Sequence, residues 1–264
     1  MTMLQLVPRF LEVLAEQANL AFWILGALWL VSMISVPIQG WRAGIRGTRR
    51  GLEISVYLQA SMVVSVLLPA WGLLRLGITG VGIVLLGWFA EWIGSSRGFL
   101  FGRYHYTDVL QPQVLHVPVL IPVAWLMIIP VSWAIGQAIV GTPDTVWARL
   151  AIAAIGAGAT TAWDLYLDPQ MVKWGFWEWD QDGAYLGIPI RKFIGWFMTA
   201  LLMGLILFPP AIPVAPLLLL FSLIWIMQFV AQLFFWNLRI SAFVGFVAMG
   251  LFVLPAIVAV LSGR

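Results

Sequence analysis

Long apolar runs separated by short polar connections dominate this chain. Eight of these runs approach the roughly 20 residues that a helix needs to cross a bilayer. They cover residues 18–38, 54–74, 76–94, 118–140, 148–167, 193–209, 214–235 and 240–262. Their apolar residues are continuous and do not alternate with polar ones, which argues against a membrane β-barrel. We predict an all-α fold: one polytopic integral membrane helical bundle over residues 1–264, with about eight transmembrane helices.

The composition supports this prediction. Hydrophobic residues make up 62% of the chain and charged residues only 9%, whereas about a quarter of a soluble domain is charged. Lipid must therefore be the solvent for much of the surface, and helices satisfy their own backbone groups there. The chain has no cysteine, which excludes disulfides and thiolate chemistry.

Residues 1–17 are predicted to form a short amphipathic helix at the membrane interface. Its apolar residues are Leu4, Leu6, Phe10, Leu11 and Leu14, and its charged residues are Arg9, Glu12 and Glu16.

The basic residues predict the orientation, because cytoplasmic loops are enriched in Lys and Arg. Ten of the 14 basic residues fall on one side: Arg42, Arg46, Arg49, Arg50, Arg97, Arg103, Lys173, Arg191, Lys192 and Arg239. We expect this side to be cytoplasmic in a plasma (inner) membrane, with both termini outside. Two long aromatic connections, 95–117 and 169–192, lie on it and are predicted to be functional loops.

Asp164 and Asp168 are the main candidates for chemistry. Acidic side chains are costly in a membrane helix, and a spacing of four places both on one helical face. A carboxylic acid in apolar surroundings tends to keep its proton, and two neighbouring carboxylates can share one. Because Pro169 disfavours helical backbone before it, the helix is expected to end at Asp168. The alternative is a structural carboxylate paired with a loop cation.

Glu91 is a third candidate carboxylate, at the end of the third apolar run. It lies between Trp residues, and the alternative to a catalytic role is an ion pair with Arg97 or Arg103. Tyr104 and Tyr106 follow it along the chain and offer hydroxyl groups.

Aromatic residues are concentrated around the two aspartates. They are Trp163, Trp174, Phe176, Trp177, Trp179, Tyr185 and Trp196. An interfacial aromatic belt explains such residues in most membrane proteins, but aromatic faces also stabilise cations. Both interpretations, an interfacial belt and a binding surface, stay open. As substrate-binding candidates we select Tyr104, Trp163, Trp177, Trp179, Tyr185 and Trp196.

No motif in the sequence indicates a cofactor. Two histidines are too few for a membrane di-iron oxygenase, and the GAGAT segment at 156–160 lies inside an apolar run and predicts close helix packing. We therefore expect neither a metal nor an organic cofactor, and no nucleic acid partner. Acid–base chemistry remains the simplest expectation.

Two segments resemble the membrane carotenoid hydratases, a family that includes bisanhydrobacterioruberin and γ-carotene hydratases. They are EWIGSSRGFLFGRYHYTDVLQPQVLHVPVLIPVAW (91–125) and AWDLYLDPQMVKWGFWEWDQDGAYLGIPIRKFIGW (162–196). The residues that match the family pattern are Glu91, Phe101, Gly102, Tyr104, Asp164, Asp168, Pro169, Trp177, Trp179, Gly187, Ile188, Pro189, Gly195 and Trp196. Lys192 departs from it, because an Asn is expected there.

The resemblance implies addition of water across the terminal double bond of an acyclic carotenoid ψ-end, which yields a tertiary alcohol. The expected partners are the lipid bilayer, a carotenoid (lycopene, γ-carotene or a longer acyclic carotenoid) and other enzymes of carotenoid synthesis. In the expected mechanism Asp164 donates the proton, aromatic faces stabilise the carbocation, and Asp168 or Glu91 acts as base. The alternatives are an intramembrane prenyltransferase-like enzyme acting on isoprenoids and a non-catalytic carotenoid- or lipid-binding protein.

Overall fold

The structure is a computed structural model, and it describes residues 3–262. Helices dominate this part of the chain, and four short strands lie in its loops. The helices are α1 (Met3–Gln17), α2 (Leu20–Arg97), α3 (Leu120–Val140), α4 (Val146–Lys173), α5 (Ile190–Leu207), α6 (Val214–Phe234) and α7 (Arg239–Ser262). The strands are β1 (Tyr104–Tyr106), β2 (Gln113–Val114), β3 (Val117–Pro118) and β4 (Trp177–Trp179). The predicted all-α membrane bundle is confirmed.

Helix α2 is interrupted twice. Gly44 and Gly72 have φ values of 59° and 70° with non-helical ψ values, a conformation that glycine adopts without the steric cost of a Cβ. These glycines divide α2 into the stretches 20–43, 45–71 and 73–97. The second and third predicted spans fall within α2, and the first, 18–38, begins two residues before it.

Within residues 3–262, six helices, α2 to α7, are long and apolar enough to cross a membrane. The predicted number of eight spans is not confirmed, because this count takes α2, with its two interruptions, as a single helix. The chain is a multi-pass membrane protein.

Helix α4 does not end where the sequence predicted. It passes through Asp168 and Pro169 and continues to Lys173. A proline inside a helix lacks the N–H that would bond to the carbonyl four residues earlier, which here belongs to Leu165. The Tyr185 hydroxyl donates a hydrogen bond to that carbonyl at 2.9 Å. A side chain from the following loop therefore replaces the missing bond, and the predicted end at Asp168 is wrong.

Helices α3 and α4 form the centre of the bundle. Helix α3 packs against α2, α4, α6 and α7, and α4 packs against α3, α5 and α7. Small residues allow this close approach: a Cβ on Gly156 would lie 3.0 Å from Trp133, and one on Gly158 would lie 2.6 Å from Phe252. The packing role predicted for the 156–160 segment is confirmed.

Helix α1 coincides with the predicted N-terminal helix. Its Gln17 side chain accepts a hydrogen bond from the backbone N–H of Ala215 at 2.9 Å, which ties it to the start of α6. The side chains of Leu4 and Leu6 lie outside the described residues. Its position at a membrane interface stays a prediction.

Candidate active site

Two loops that are far apart in sequence meet in a small antiparallel sheet. Strand β1 pairs with β4, with Tyr104 opposite Trp179 and Tyr106 opposite Trp177. Because alternate residues of a strand point to opposite faces, these four rings share the inner face. His105 and Glu178 share the outer face, where both are exposed. The pairing joins the two connections that the sequence marked as functional loops.

The Glu91 carboxylate lies beneath this sheet and is 3% exposed. Its Oε2 atom accepts hydrogen bonds from the hydroxyls of Tyr104 at 2.5 Å and Tyr106 at 2.8 Å. Its Oε1 atom accepts one from the indole N–H of Trp125 at 3.1 Å. Three uncharged donors therefore hold this carboxyl group, in place of the ion pair with Arg97 or Arg103 considered from sequence.

Both tyrosines keep their protons over a wide pH range. Burial, followed by the negative charge of Glu91, raises the pKa of Tyr104 and the pKa of Tyr106 well above the usual value. Each therefore remains a hydrogen-bond donor to Glu91. Burial likewise raises the pKa of Tyr185.

A second buried group of charges lies between α4 and α5. The Lys192 ammonium contacts the Oδ2 atom of Asp164 and lies 3.0 Å from Oδ2 of Asp168. Both aspartates are 0% exposed and Lys192 is 4% exposed. The spacing of four places both carboxylates on the side of α4 that meets α5, as the sequence predicted. Lys192 opposite them was noted in the sequence only as a departure from a family pattern.

Trp177 connects the two groups. Its indole N–H donates a 2.5 Å hydrogen bond to Oδ1 of Asp168, and its ring packs edge-on against Tyr106 at 5.8 Å. On the other side, the Lys192 ammonium lies 4.4 Å from the ring centroid of Trp196, which lies 4.4 Å from that of Trp125. Aromatic rings thus bridge the space between Glu91 and Lys192.

These side chains enclose a cavity that we call the chamber, with an empty volume of about 410 Å³ including its opening. It is lined by Glu91, Phe101, Tyr104, Tyr106, Ile121, Ala124, Trp125, Leu167, Trp177, Trp179, Lys192 and Trp196. Glu91 and the Lys192 ammonium are the charged groups on a wall that is otherwise aromatic or aliphatic. Such a surface suits a hydrocarbon that undergoes proton transfer.

A second cavity, which we call the apolar cavity, adjoins the chamber. It has an empty volume of about 800 Å³ including its opening, and it shares Ile121, Ala124, Leu167 and Trp177 with the chamber. Its wall is mostly aliphatic and aromatic, with contributions from α2, α3, α4 and α6. The carboxyl group of Glu91 therefore lies in a cavity next to a larger apolar one.

The structure brings most of the sequence candidates to these cavities. Glu91, Tyr104, Trp177, Trp179 and Trp196 line the chamber, and Trp163 lines the apolar cavity. Asp164 and Asp168 line neither, and reach the chamber only through Lys192 and Trp177. Tyr185 also lines neither, since its hydroxyl is bonded to the α4 backbone.

Trp125 was not among the site residues predicted from the sequence. It lies in the first half of α3, within an apolar run in which a further aromatic residue does not indicate a function. Its hydrogen bond to Glu91 becomes visible only when α2 and α3 pack together.

The number of acidic and basic groups at the site determines which chemistry it favours. With all groups ionised, Glu91, Asp164 and Asp168 outnumber the single ammonium of Lys192 and leave two uncompensated negative charges in a buried region. Unpaired buried charge is costly, so such a cluster tends to hold protons. The same excess of carboxyl groups favours a positive charge that develops nearby.

Comparison with known proteins identifies the family of this chain. The sequence profile of the family described as carotenoid biosynthesis protein matches residues 51–263, which include every residue of the chamber. The chain belongs to the carotenoid biosynthesis protein family. Its function is therefore related to carotenoids.

One more distantly similar protein carries the name of an enzyme. The chain is similar to the bisanhydrobacterioruberin hydratase of Haloarcula japonica, with 27% identity over 127 residues. The match covers 47% of this chain and 42% of that relative, so the chain spans less than half of its length. No solved structure matches the chain. The family and this relative indicate an enzyme of carotenoid biosynthesis.

Proposed function

We propose that this protein is a carotenoid hydratase that adds water across the terminal double bond of an acyclic ψ-end. The observation that carries the proposal is the position of Glu91. It is the carboxyl group of the chamber, and the chamber shares four wall residues with the apolar cavity. The similar bisanhydrobacterioruberin hydratase supports the reaction class.

Glu91 in its protonated form is the group we assign to donate the proton. Sequence analysis favoured Asp164, but Asp164 is enclosed behind Lys192, whereas Glu91 lines the cavity. The proton adds to the carbon of the alkene that bears hydrogen, and the alkene electrons form the new C–H bond. The cation is then tertiary. The Glu91 carboxylate left behind accepts the hydrogen bonds of Tyr104, Tyr106 and Trp125, which makes proton loss easier.

The chamber stabilises the resulting carbocation in two ways. The faces of Trp125, Trp177, Trp179 and Trp196 present negative π density to a cation. With all three groups ionised, Lys192, Asp164 and Asp168 together carry one net negative charge at the wall of the chamber, with the carboxylates behind the ammonium. Both are already in place before the reaction, so little reorganisation is needed.

Water then attacks the tertiary cation and forms the C–O bond. The oxonium proton returns to the Glu91 carboxylate, and the acid is regenerated while the alkene has gained one water. General acid–base help of this kind contributes about 10²–10⁴-fold in rate. Asp164 and Asp168 hold Lys192 in place and contribute to the electrostatic field of the site. This reaction uses no metal or organic cofactor.

We place the chamber on the cytoplasmic side of a plasma membrane. The support is the excess of Lys and Arg around the loops that cover it. The long axis of the substrate would lie among α2, α3, α4 and α6, where the apolar cavity runs.

A prenyltransferase role has less support from the site. That chemistry uses several carboxylates to hold Mg²⁺ and a diphosphate. Here the space between Asp164 and Asp168 contains the ammonium of Lys192, which competes with a divalent cation for both oxygens. In the described part of the chain, no group of three His, Cys, Asp or Glu residues is arranged to hold a metal ion.

The test is replacement of Glu91 by Gln in cells that accumulate lycopene. We expect the hydroxylated product to fall by at least about 100-fold, because Gln cannot donate the proton. Glu178→Gln, on the exposed face of the same sheet, is the matched control and should keep full product. Full product from the Glu91 variant would remove Glu91 from the donor role.

A further inference from the structure

Two buried glutamines in the wall of the apolar cavity have amide atoms without a hydrogen-bond partner. Gln59 on α2 is 4% exposed and Gln228 on α6 is 7% exposed, and both line the cavity. The Nε2 donor of Gln59 and the Oε1 acceptor of Gln228 are buried and unpaired within the described chain. A buried polar atom without a partner is unfavourable, and a ligand with a hydrogen-bonding group in the cavity would satisfy both atoms.

The surroundings of these amides narrow the chemistry of that ligand. Other buried glutamines are satisfied by the protein: Gln137 bonds to Pro210 and Ile212, and Gln232 bonds to Tyr166. The polar Ser55 on the same wall already donates to the Gly51 carbonyl. Gln59 and Gln228 thus differ from the rest in having no internal partner while facing a cavity that is otherwise largely apolar.

A hydroxyl group offers both missing partners, because its oxygen can accept from Gln59 and its O–H can donate to Gln228. A bare hydrocarbon would leave both atoms unpaired. The cavity is also much larger than one water, and its remaining wall suits an isoprenoid chain.

We propose that the apolar cavity is a binding site for a hydroxylated carotenoid end, with Gln59 and Gln228 recognising the alcohol. This inference rests on the proposed hydration, which would create such an alcohol in the adjoining chamber. The new hydroxyl would leave the chamber past Leu167 and Trp177, which line both cavities. The site would therefore select the product, or a carotenoid already hydroxylated, over the unreacted hydrocarbon.

The test uses a pair of ligands that cannot be hydrated further. One is lycopene with both terminal double bonds reduced, and the other is the same molecule with a tertiary hydroxyl at each end. Binding to the full-length protein in detergent is followed by quenching of tryptophan fluorescence, since Trp163, Trp174, Trp177 and Trp236 line the cavity. We expect the diol to bind at least about fivefold more tightly, which corresponds to one net hydrogen bond.

Two variants assign the preference to the amides. Gln59→Met and Gln228→Met keep the side-chain length and remove the amide, and together they should abolish the preference for the diol. Gln181→Met, in the exposed loop before α5 and outside the cavity, is the matched control and should retain it. Equal binding of the two ligands to the unmodified protein, or a preference that survives in the double variant, would overturn the proposal.

This binding test is independent of turnover. A protein that prefers the diol but does not hydrate lycopene would keep the alcohol site and remove the hydratase function. A protein that hydrates lycopene but binds both ligands equally would keep the hydratase function and remove the alcohol site.

Discussion

Lys192 and Asp168 form an ion pair inside the bundle, with 3.0 Å between the ammonium nitrogen and Oδ2 of the carboxylate. The same ammonium contacts Asp164, and all three side chains are almost fully buried. One cation therefore holds two acids that α4 places on the same face. Three predictions concern this cluster or the loops that cover it, and a fourth concerns the tyrosines.

Replacing Lys192 with Met should destabilise the protein strongly. The change leaves two buried carboxylates without a counter-charge, and removal of one partner of a buried ion pair costs about 3–5 kcal/mol. Thermal unfolding in detergent measures the effect. Lys173→Met, at the exposed end of α4, is the control and should shift the midpoint little. The double variant Lys192→Met with Asp164→Asn should be more stable than the sum of the single changes implies, and strict additivity would show that the two side chains do not interact.

Replacing Asp164 with Asn should reduce hydration while leaving the fold intact. The amide oxygen can still accept a bond from Lys192, but one negative charge that stabilises the carbocation is lost. We expect product in lycopene-accumulating cells to fall by at least about tenfold. Asp144→Asn, in the exposed loop before α4, is the control. Unchanged product from the Asp164 variant would mean that this charge does not act on the reaction.

Replacing Gly195 with Ala should disturb the loop over the chamber. A Cβ at this position would lie 2.5 Å from the Phe101 ring and 2.7 Å from the Leu100 carbonyl oxygen. Phe101 must then move, and with it the start of β1 and the donors to Glu91. We expect a loss of product and of stability of about 1–3 kcal/mol. Gly77→Ala, where an added Cβ meets nothing within 4 Å, is the control, and equal behaviour of the two variants would contradict the packing argument.

Alkaline pH should weaken the fold through Tyr104 and Tyr106. Their raised pKa values mean that the folded protein keeps protons that the unfolded chain loses above about pH 10. The folded state then binds more protons, so stability falls as pH rises beyond that value and is unaffected below it. Tyrosinate absorbance gives a direct check. Tyr104→Phe should leave the absorbance rise of the folded protein near pH 10 unchanged, yet remove about one fifth of the rise in denaturant, since the chain has five tyrosines. A reduced rise in the folded variant would show that Tyr104 titrates normally.

The sequence predicted the bundle and the positions of its three key carboxylates. Apolar runs of membrane-crossing length can be read directly, and acids inside such runs stand out because they are costly there. The end of α4 was mispredicted because the compensation for Pro169 comes from Tyr185, 16 residues further along. Local sequence cannot show a partner that is supplied by a loop.

The arrangement of the site was less accessible to prediction. The pairing of β1 with β4 decides that Tyr104 and Tyr106 face Glu91, and three-residue strands in aromatic loops have no distinct pattern. The sequence favoured Asp164 as the proton donor, with Asp168 or Glu91 as the base, whereas packing of α5 places Lys192 between the two aspartates and the chamber. Which acid faces a cavity depends on that packing.

The most direct test of the account is a reaction of purified protein with lycopene in water labelled with oxygen-18, without added metal or reductant. We predict a product heavier than lycopene by one water, with the label in a tertiary hydroxyl, and almost none of it from Glu91→Gln. Lycopene that is bound but recovered unchanged, or a hydroxyl whose oxygen does not come from water, would contradict hydration by a carboxyl group of the chamber.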